Sequence, residues 1–583
     1  MKSLKHRIFL FLIVLMSVMG QPLRAAVTPV APDLNTDDNF YEIETLENLY
    51  WIAQEVNAGH FSDGLNVRLM DNLNLNSHDD FSLVETYVTH GLNPEQKPTL
   101  SDDFVYWVPI GTEEHPFIGE FHGNGQRISY MLPNLDEIGN AFGLIGHAQN
   151  AIIHDLTIYY SVCIANNYSA PFVAVTHANV ELDCNRSEIN TPYAINEEGY
   201  SSGMVGLLSE SSTLTNCWTW TSFDSNRYGG FVGNNSGSVS NSYTFGKRGD
   251  EHVICYSTTA PVSNCYYQTT SDTYSESGIA PVTDKDVYSG RLCYLLNEGN
   301  PNGKWKQTLG MRDSPQSTTM DNGIENNVYQ QDGCIYYNKT SEDADVYKAV
   351  NFSEKDGFNI PETVETQKIY YYRDYSNGLN WVTICVPFVL TKSCFDSDQG
   401  YKIGLYTIKD IAEKQEHEYS INLEKVETIP ANTPAFLCLR NNVWSFFEII
   451  AEGDADHPIQ IGGEAGTLTY GDFEFRGVYE AGTSFGEEQT STGRYFFVSQ
   501  DALWRGINPF SIKPFRAYLY CTKADMGAAP MRFTLNPMDE VTAINALEDV
   551  NPHSQRITDL MGRPASPYTK GLLITNHKKL LVR

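Results

Sequence analysis

Aromatic side chains recur at matched positions in the first half of the chain, and their chemistry suits sugar binding. Trp218, Tyr243 and Tyr266 each follow an asparagine by two residues. Trp220 lies two residues beyond Trp218. Aromatic rings of this kind stack on the apolar face of a sugar ring. If these rings point outward, the four residues form a ladder that binds a ligand.

Core packing is the alternative for the same residues. Leu214, Asn216 and Trp218 share one face of a straight strand, and Leu214 is expected to be buried. A bend at Asn216 would reset that alternation. The sequence favours core packing and keeps the aromatic ladder as the best candidate for a ligand site.

Catalytic residues are harder to find. His417 lies between Glu416 and Glu418, in a charged run that is typical of a solvated surface. No cysteine has a recognisable protease setting, and no H-E-x-x-H or C-x-x-C motif offers a zinc site. We therefore predict no catalytic, cofactor-binding or metal-binding residues.

Polysaccharide cleavage would need two carboxylates about 5 to 10 Å apart on one surface. In stacked repeats they would share one column, but the repeat column holds a single acid: Asp155, Asn216, Asn241 and Asn264. An asparagine column is normally structural, since its amides hydrogen-bond along the stack. The other acids considered are expected in loops: Asp79-Asp80, Asp102-Asp103, Glu113-Glu114 and Glu120. Calcium binding by these acids stays an alternative, although no D-x-D-x-D-G loop is present.

These residues are placed by a glycine-framed repeat. Residues 203–218 read GMVGLLSESSTLTNCW and residues 230–243 read GFVGNNSGSVSNSY. Residues 142–158 keep the frame loosely, and residues 262–267 have lost it. The structural repeat positions are Gly143, Gly146, Gly203, Gly206, Gly230, Gly233, Asn216, Asn241 and Asn264. A unit this short cannot bury its own apolar face, so it must stack on its neighbours.

Several motifs in a fixed order carry a resemblance to a known family. A helix at Glu44–Val56 precedes WVPIGT (107–112), FIGEFHGNGQRI (117–128) and the glycine-framed units. Over residues 40–270 the chain resembles the GLUG-repeat proteins of Bacteroides-type bacteria. The resemblance implies a right-handed parallel β-helix on a secreted or surface protein, and it brings no catalytic residues. We assign this domain, with its N-terminal capping helix, to residues 40–305.

The second half has a different pattern. Residues 306–330 are polar and are predicted to be a linker. Residues 331–539 contain separated apolar strands such as KIYYYRDY (368–375) and RYFFVS (494–499), which favour an antiparallel β-sandwich. The whole chain is therefore expected to be all-β. This half resembles the C-terminal β-sandwich regions of exported proteins of the same bacteria.

The two termini carry targeting patterns. Residues 1–26 have the charged end, apolar segment and small-residue cleavage region of a signal peptide. Residues 540–583 end in a "D-L-x-G-R" turn and a basic apolar segment, which resemble the sorting tails of type IX secretion. Together they predict a protein that is secreted or displayed on the outer cell surface.

The bulk composition excludes some partners. A formal net charge of -32 repels nucleic acid and anionic lipid, so no nucleic-acid partner is expected. No segment after the signal is apolar enough to span a bilayer. The eleven cysteines are widely spaced, which favours core packing over a disulfide framework.

These observations favour a binding or adhesin-like protein without catalytic activity, whose partner is a glycan or an extracellular protein. Two alternatives stay open: a polysaccharide-degrading enzyme built on the β-helix, and a structural surface or matrix component. The sequence leaves the oligomeric state open.

Overall fold

A computed structural model describes residues 27–221, 227–245, 254–269, 278–300, 302–318, 326–339, 346–375, 379–395, 403–439, 445–499, 502–506, 508–523, 531–537, 557–559, 571–575 and 578–582. Strands dominate this part of the chain, and its helices are few and short. The predicted all-β class is therefore confirmed.

The repeat region (residues 40–282) is a stack of chain turns whose described strands pair in parallel with the turn before and after. The largest sheet, sheet 1, begins with Asp33–Asn35, which is antiparallel to its neighbour, and continues with Phe40–Ile43, Val67–Leu69, Phe117–His122 and Ile145–His154. Beyond Ile145–His154 sheet 1 divides into two branches. One branch contains Val173–Thr176, Val205–Leu208, Val232–Asn235 and Cys255–Thr258. The other contains Val180–Asp183, Thr213–Thr215, Ser238–Ser240 and Val262–Ser263.

Two further sheets close the sides of the stack. Sheet 2 contains Leu73–Asn74, Arg127–Ser129, Thr157–Tyr159, Arg186–Glu188, Trp218–Trp220, Tyr243–Thr244, Cys265–Gln268 and Ile279–Val282. Sheet 3 contains Ala141–Phe142, Tyr168–Ser169, Tyr200–Ser202 and Tyr228–Gly229. Val162–Ala165 and Thr191–Ala194 form a separate parallel pair. One apolar core runs between the sheets and contains Val205, Leu214, Val232 and Val239.

The glycine frame lets neighbouring turns approach closely. A Cβ on Gly203 would collide with the carbonyl oxygen of Gly230 in the next turn, and one on Gly143 would collide with that of Ala170. Gly206 lies in the same way against the carbonyl oxygen of Ala174, and Gly233 lies against that of Gly206. Gly146 lies against the carbonyl oxygen of Gly111. Side chains at these positions would push the turns apart.

Two helices cover the first turns. Leu46–Asn57 matches the predicted capping helix and buries Leu49, Ile52 and Val56 against the core. His78–Thr89 is a second helix that the sequence analysis did not predict, although Phe81, Val84 and Val88 follow helical spacing and are buried. The expectation that Asp79-Asp80 lies in a loop is wrong, because both residues form the first turn of this helix.

The described part of the predicted linker, residues 306–318 and 326–330, is not a free connection. After the helices Asp284–Tyr288 and Arg291–Leu296, the strands Trp305–Lys306 and Gln316–Ser317 form an antiparallel pair. We call residues 284–318 the cover segment. Its apolar side chains are buried with Trp218 and Tyr243 of sheet 2 and with Tyr336 of the next sheet. Within the predicted linker Gln307 and Leu309 are buried, and Trp305 is buried immediately before it, so a few side chains anchor an otherwise polar segment.

The C-terminal half contains three larger sheets. The first sheet contains Tyr329–Gln331, Ile335–Lys339, Val346–Phe352, Val364–Thr366, Ile459–Ile461, Lys368–Asp374 and Phe446–Glu452. The second sheet contains Trp381–Ile384, Ala435–Cys438, Gly404–Gln415, Glu418–Val426 and Arg532–Pro537. The third sheet contains Thr467–Tyr470, Phe473–Val478, Arg516–Cys521, Tyr495–Ser499 and Ala502–Arg505. Most pairs are antiparallel, but Val346–Phe352 pairs in parallel with two neighbours, and Glu418–Val426 with Arg532–Pro537. The first two sheets are therefore mixed, whereas the described pairs of the third are all antiparallel.

Small elements complete this half. Two short antiparallel pairs join Leu390–Thr391 with Thr428–Ile429 and Ser484–Phe485 with Phe510–Ser511. A helix spans Glu487–Ser491, and a 3₁₀ turn spans Lys392–Cys394. A further 3₁₀ turn, Pro94–Gln96, belongs to the repeat region.

The termini are described only in part. The signal-peptide prediction at 1–26 lies outside the described residues, as does most of the tail predicted at 540–583. Within that tail, Ile557–Asp559, Gly571–Thr575 and Lys578–Val582 form an antiparallel sheet. Among the described residues, no helix has the length and hydropathy that a membrane span requires. None of the eleven cysteines, all of which lie in the described residues, is in a disulfide, and ten of them are buried.

Candidate functional site

The asparagine column forms the corners at which the chain turns from sheet 1 into sheet 2. Asp155, Asn216, Asn241 and Asn264 all adopt positive φ angles, between 48° and 51°. Asparagine and aspartate tolerate this left-handed backbone better than most residues. The Asn264 amide donates to Asn241 Oδ1 at 2.9 Å, and that of Asn216 to Asp183 Oδ1 at 2.8 Å. These side chains position the sheets.

The bend at each corner resets the alternation of the next strand. Thr219 and Thr244 follow their corners in register and are fully buried. Trp218, Tyr243 and Tyr266 therefore point away from the interior of the stack, in one column. The favoured expectation of core packing holds for Trp218 and Tyr243, which are buried, but they pack in a cluster outside the repeat core because the bend at the corner resets the alternation.

The same column is nevertheless closed to a ligand over most of its length. Trp218 is 4 % exposed and Tyr243 0 %. Tyr243 stacks on Trp218 with ring centroids 5.8 Å apart, and Trp305 of the cover segment packs 5.2 Å from Tyr243. Tyr266 is half-buried and donates its hydroxyl to Asn264 Oδ1. The prediction that these rings form an open ladder is wrong, because the cover segment lies on them.

Hydrogen bonds fix the cover segment in place. Trp305 Nε1 donates to the Asn241 carbonyl at 3.1 Å, and the Tyr243 hydroxyl donates to the Pro315 carbonyl at 2.7 Å. Ser317 Oγ donates to the Asn216 carbonyl at 2.6 Å. The corner asparagines thus offer backbone acceptors to the segment that covers them.

A cleft of about 220 Å³ remains between sheet 2 and the cover segment. Its floor is formed by Thr157, Arg186 and Trp218, and the corner residue Asp155 borders it. Its roof includes Lys306, Gln307, Asp313, Gln316 and Ser317. The lining is rich in groups that donate or accept hydrogen bonds, which suits a small polar or polyhydroxylated ligand.

Trp218 offers no free ring face in this cleft. Tyr243 covers one face, and the Arg186 guanidinium lies over the ring at 4.4 Å from its centroid. Arg186 Nε also lies 2.5 Å from Glu188 Oε1. A sugar could stack on Trp218 only if Arg186 moved.

The carboxyl groups near the cleft are partly desolvated. Burial raises the pKa of Glu188, and the charges of Arg186 and Arg127 offset part of that rise. Burial likewise raises the pKa of Asp313. Groups of this kind hold a proton more readily than a solvated carboxylate.

Trp220 is the member of the predicted site that stays open. It is 49 % exposed, and within the described parts of the chain no ring or guanidinium contacts it. In sheet 2 it lies in register with Glu188, which lies in register with Tyr159. We call these three residues the outer row; it runs beside the floor of the cleft. Strands lie about 4.8 Å apart, so Tyr159 and Trp220 are ~10 Å apart.

Other sequence candidates do not join this site. His417 forms the tip of the hairpin between Gly404–Gln415 and Glu418–Val426, far along the chain from sheet 2. Asp80 is buried, and its carboxylate accepts hydrogen bonds from Ser77, which is the N-cap of the helix, and from Ser101, so it joins the helix start to the loop at Ser101. A G-x-S-x-G spacing at Gly482–Gly486 was not among the sequence candidates, and its serine lies in a strand that pairs with Phe510–Ser511.

One cluster of metal-ligating side chains was not predicted from the sequence. Glu120, His122 and His154 offer ligand atoms that all lie within 4.8 Å of one another. Glu120 lies in the strand Phe117–His122, so its placement in a loop is wrong. Each histidine is the last residue of a strand of sheet 1, and the two residues are paired in register across adjacent strands. A shared sequence pattern could have revealed the cluster. An apolar residue, a histidine and a corner residue follow one another at Phe121-His122-Gly123 and again at Ile153-His154-Asp155.

Comparisons with known proteins do not identify the chain: no family model matches it, and neither a curated protein nor a solved structure does. Its function has to be argued from its own residues.

Proposed function

We propose that this chain is a secreted or cell-surface protein that binds a glycan through the outer row and the adjoining cleft. The exposed ring of Trp220 carries the proposal, because an aromatic face beside hydrogen-bonding groups is a common carbohydrate platform. Glu188 and Arg186 lie next to it and can bond to sugar hydroxyls. The span from Tyr159 to Trp220 is comparable with the length of a disaccharide.

We also propose that the repeat region is a right-handed parallel β-helix of the GLUG-repeat type, followed by a β-sandwich. Parallel pairing of successive turns, left-handed corners and closely approaching glycines support the first part. Two adjacent apolar clusters in the C-terminal sheets support the second. Export through the leader at 1–26 and sorting through the tail at 540–583 belong to the same proposal.

Polysaccharide cleavage is a second candidate. A general acid for glycoside hydrolysis needs a carboxyl group with a raised pKa, and burial raises the pKa of both Glu188 and Asp313. Binding is the primary proposal because the stacking platform is formed without any rearrangement.

The test compares two tryptophans that are equally exposed. The full chain and the variants Trp220→Ala and Trp504→Ala are titrated with a panel of oligosaccharides; Trp504 is also 49 % exposed but lies in a C-terminal sheet. Loss of the stacking contact should weaken binding about tenfold in Trp220→Ala, which corresponds to about 1.4 kcal/mol. Trp504→Ala should bind like the unchanged protein.

Each outcome has a meaning. Equal binding by both variants would refute the outer row as the platform. Sugar products released in the same wells would favour the hydrolase, and Glu188→Gln should then abolish their release. Association of the chain with itself, without sugar binding, would support a structural surface component.

A further inference from the structure

Two stacked histidines and a carboxylate lie on the outer surface of sheet 1, around the Asp155 corner from the cleft. The rings of His122 and His154 are parallel to within 12°, with centroids 4.4 Å apart. Glu120 is two residues before His122 on the same outward face, and its Oε1 lies 2.9 Å from His154 Nε2. The three side chains belong to adjacent turns, so the fold brings together residues more than thirty positions apart.

His154 is oriented by a buried carboxylate. Its Nδ1 lies 2.9 Å from Asp155 Oδ2, and the Asp155 side chain is 2 % exposed. A carboxylate on one imidazole nitrogen fixes the ring so that the other nitrogen faces the metal in many zinc sites. Here Nε2 of His154 is the nitrogen that faces Glu120.

His122 supplies an atom that the protein itself does not use. Its Nε2 is buried and has no hydrogen-bond partner in the described structure. A buried polar atom without a partner costs free energy, and a bound ion would recover that cost. The cluster remains accessible, because the side chains of His154 and Glu120 are 15 % and 31 % exposed.

We propose that Glu120, His122 and His154 form a binding site for a divalent transition-metal ion of the zinc type. Two imidazoles and one carboxylate are a ligand set that zinc accepts, and three protein ligands leave a fourth position for water or another ligand atom. Asp155 is a positioning residue that acts through His154. The metal proposal does not rest on the proposed glycan binding, although Asp155 also borders the cleft.

Metal binding requires a small rearrangement. Ligand atoms around a tetrahedral zinc ion are about 3.3 Å apart, given bonds of about 2.0 Å. Glu120 and His154 must therefore separate slightly, and the His122 ring must turn out of its stack so that its nitrogen points at the ion. Arg68, one turn away in register with His122, does not oppose the ion with an unpaired charge, since Asp38 lies 2.6 Å from it.

The chain contains a matched control. His147 and His177 also stack on neighbouring turns, with Nδ1 of one 3.1 Å from Nε2 of the other. Within the described residues this pair has no third metal-ligating group close enough to complete a site. A requirement for two histidines alone would give both pairs the same affinity.

The experiment titrates the chelator-treated full chain with ZnCl₂ in a calorimeter and with Co²⁺ in an absorption cell. We expect one ion per chain, at least 100-fold weaker binding in His122→Ala and Glu120→Gln, and unchanged binding in His177→Ala. Asp155→Asn should bind 10- to 100-fold more weakly. Circular dichroism of each variant checks that it is folded, and Glu120→Gln keeps the shape of the side chain it replaces.

Two results would overturn the proposal. One is an identical zinc isotherm for the unchanged protein, His122→Ala and Glu120→Gln. The other is a Co²⁺ spectrum dominated by thiolate charge transfer, since the eleven cysteine thiols are present in every variant. Equal losses in His122→Ala and His177→Ala would likewise refute the three-residue site.

Discussion

Removal of the Trp305 side chain tests whether the cover segment is part of the folded core. Trp305 is fully buried, lies 5.2 Å from Tyr243 and donates Nε1 to the Asn241 carbonyl. Truncation of a buried tryptophan to alanine costs about 3–5 kcal/mol, and the carbonyl left without its donor adds to that cost. We therefore expect Trp305→Ala to lower the free energy of unfolding by about 4 kcal/mol. This corresponds to an almost 1,000-fold change in the unfolding equilibrium.

The assay is urea unfolding of the full chain, followed by circular dichroism and by tryptophan fluorescence. A chain of this length can unfold in more than one step, so the comparison is made on the transition in which the repeat region unfolds. Trp504→Ala is the control and should change that transition by no more than about 0.5 kcal/mol, as is usual for surface substitutions. A loss below 1 kcal/mol in Trp305→Ala, with an unchanged urea slope, would refute the packing role of Trp305 and the inclusion of the cover segment in the folded core.

Two further predictions concern a buried ion cluster and a corner. Burial alone would raise the pKa of Glu354, but the charges of Arg516 and Lys285 lower it to about 2. The ionised carboxylate therefore contributes its full stabilisation above pH 4.5, and this contribution is lost as the pH falls toward 2. Glu354→Gln should lower the free energy of unfolding by about 3–5 kcal/mol at neutral pH. It should also reduce the loss of stability in acid, which is measured as urea midpoints between pH 7 and 3. A pH profile identical to that of the unchanged protein would contradict this. Asn241→Ala should lower the unfolding free energy by about 1 kcal/mol more than Asn241→Gly, since φ is 48° there, and equal losses in thermal unfolding would argue against backbone strain at the corner.

The repeat architecture was the part of the fold most open to sequence reasoning. Glycine and asparagine positions are dictated by local backbone geometry, so their spacing reports the turns directly. The helix predicted at Glu44–Val56 forms at Leu46–Asn57 because its apolar spacing and its Thr45 cap are both local signals. The helix His78–Thr89 was missed because its two acids at the start resemble a loop, although acids suit a helix N-terminus.

The candidate site was only half accessible from the sequence. The register of Trp218 with Tyr243 follows from aligning the repeats, and the structure keeps that register. Their direction could not be decided, because it depends on the φ angle of Asn216. Their exposure could not be decided either, because it depends on a segment that begins forty residues after Tyr243.

The sequence by itself determined the all-strand class, the stacking of repeats and the corners between sheets, since each is encoded by residues close together in the chain. Tertiary structure alone decided that residues 284–318 cover the aromatic column and leave Trp220 open. It alone also brought His122 and His154 side by side. Contacts between turns depend on the length of each turn, and these lengths vary too much along the chain for a local pattern to reveal which side chains will meet.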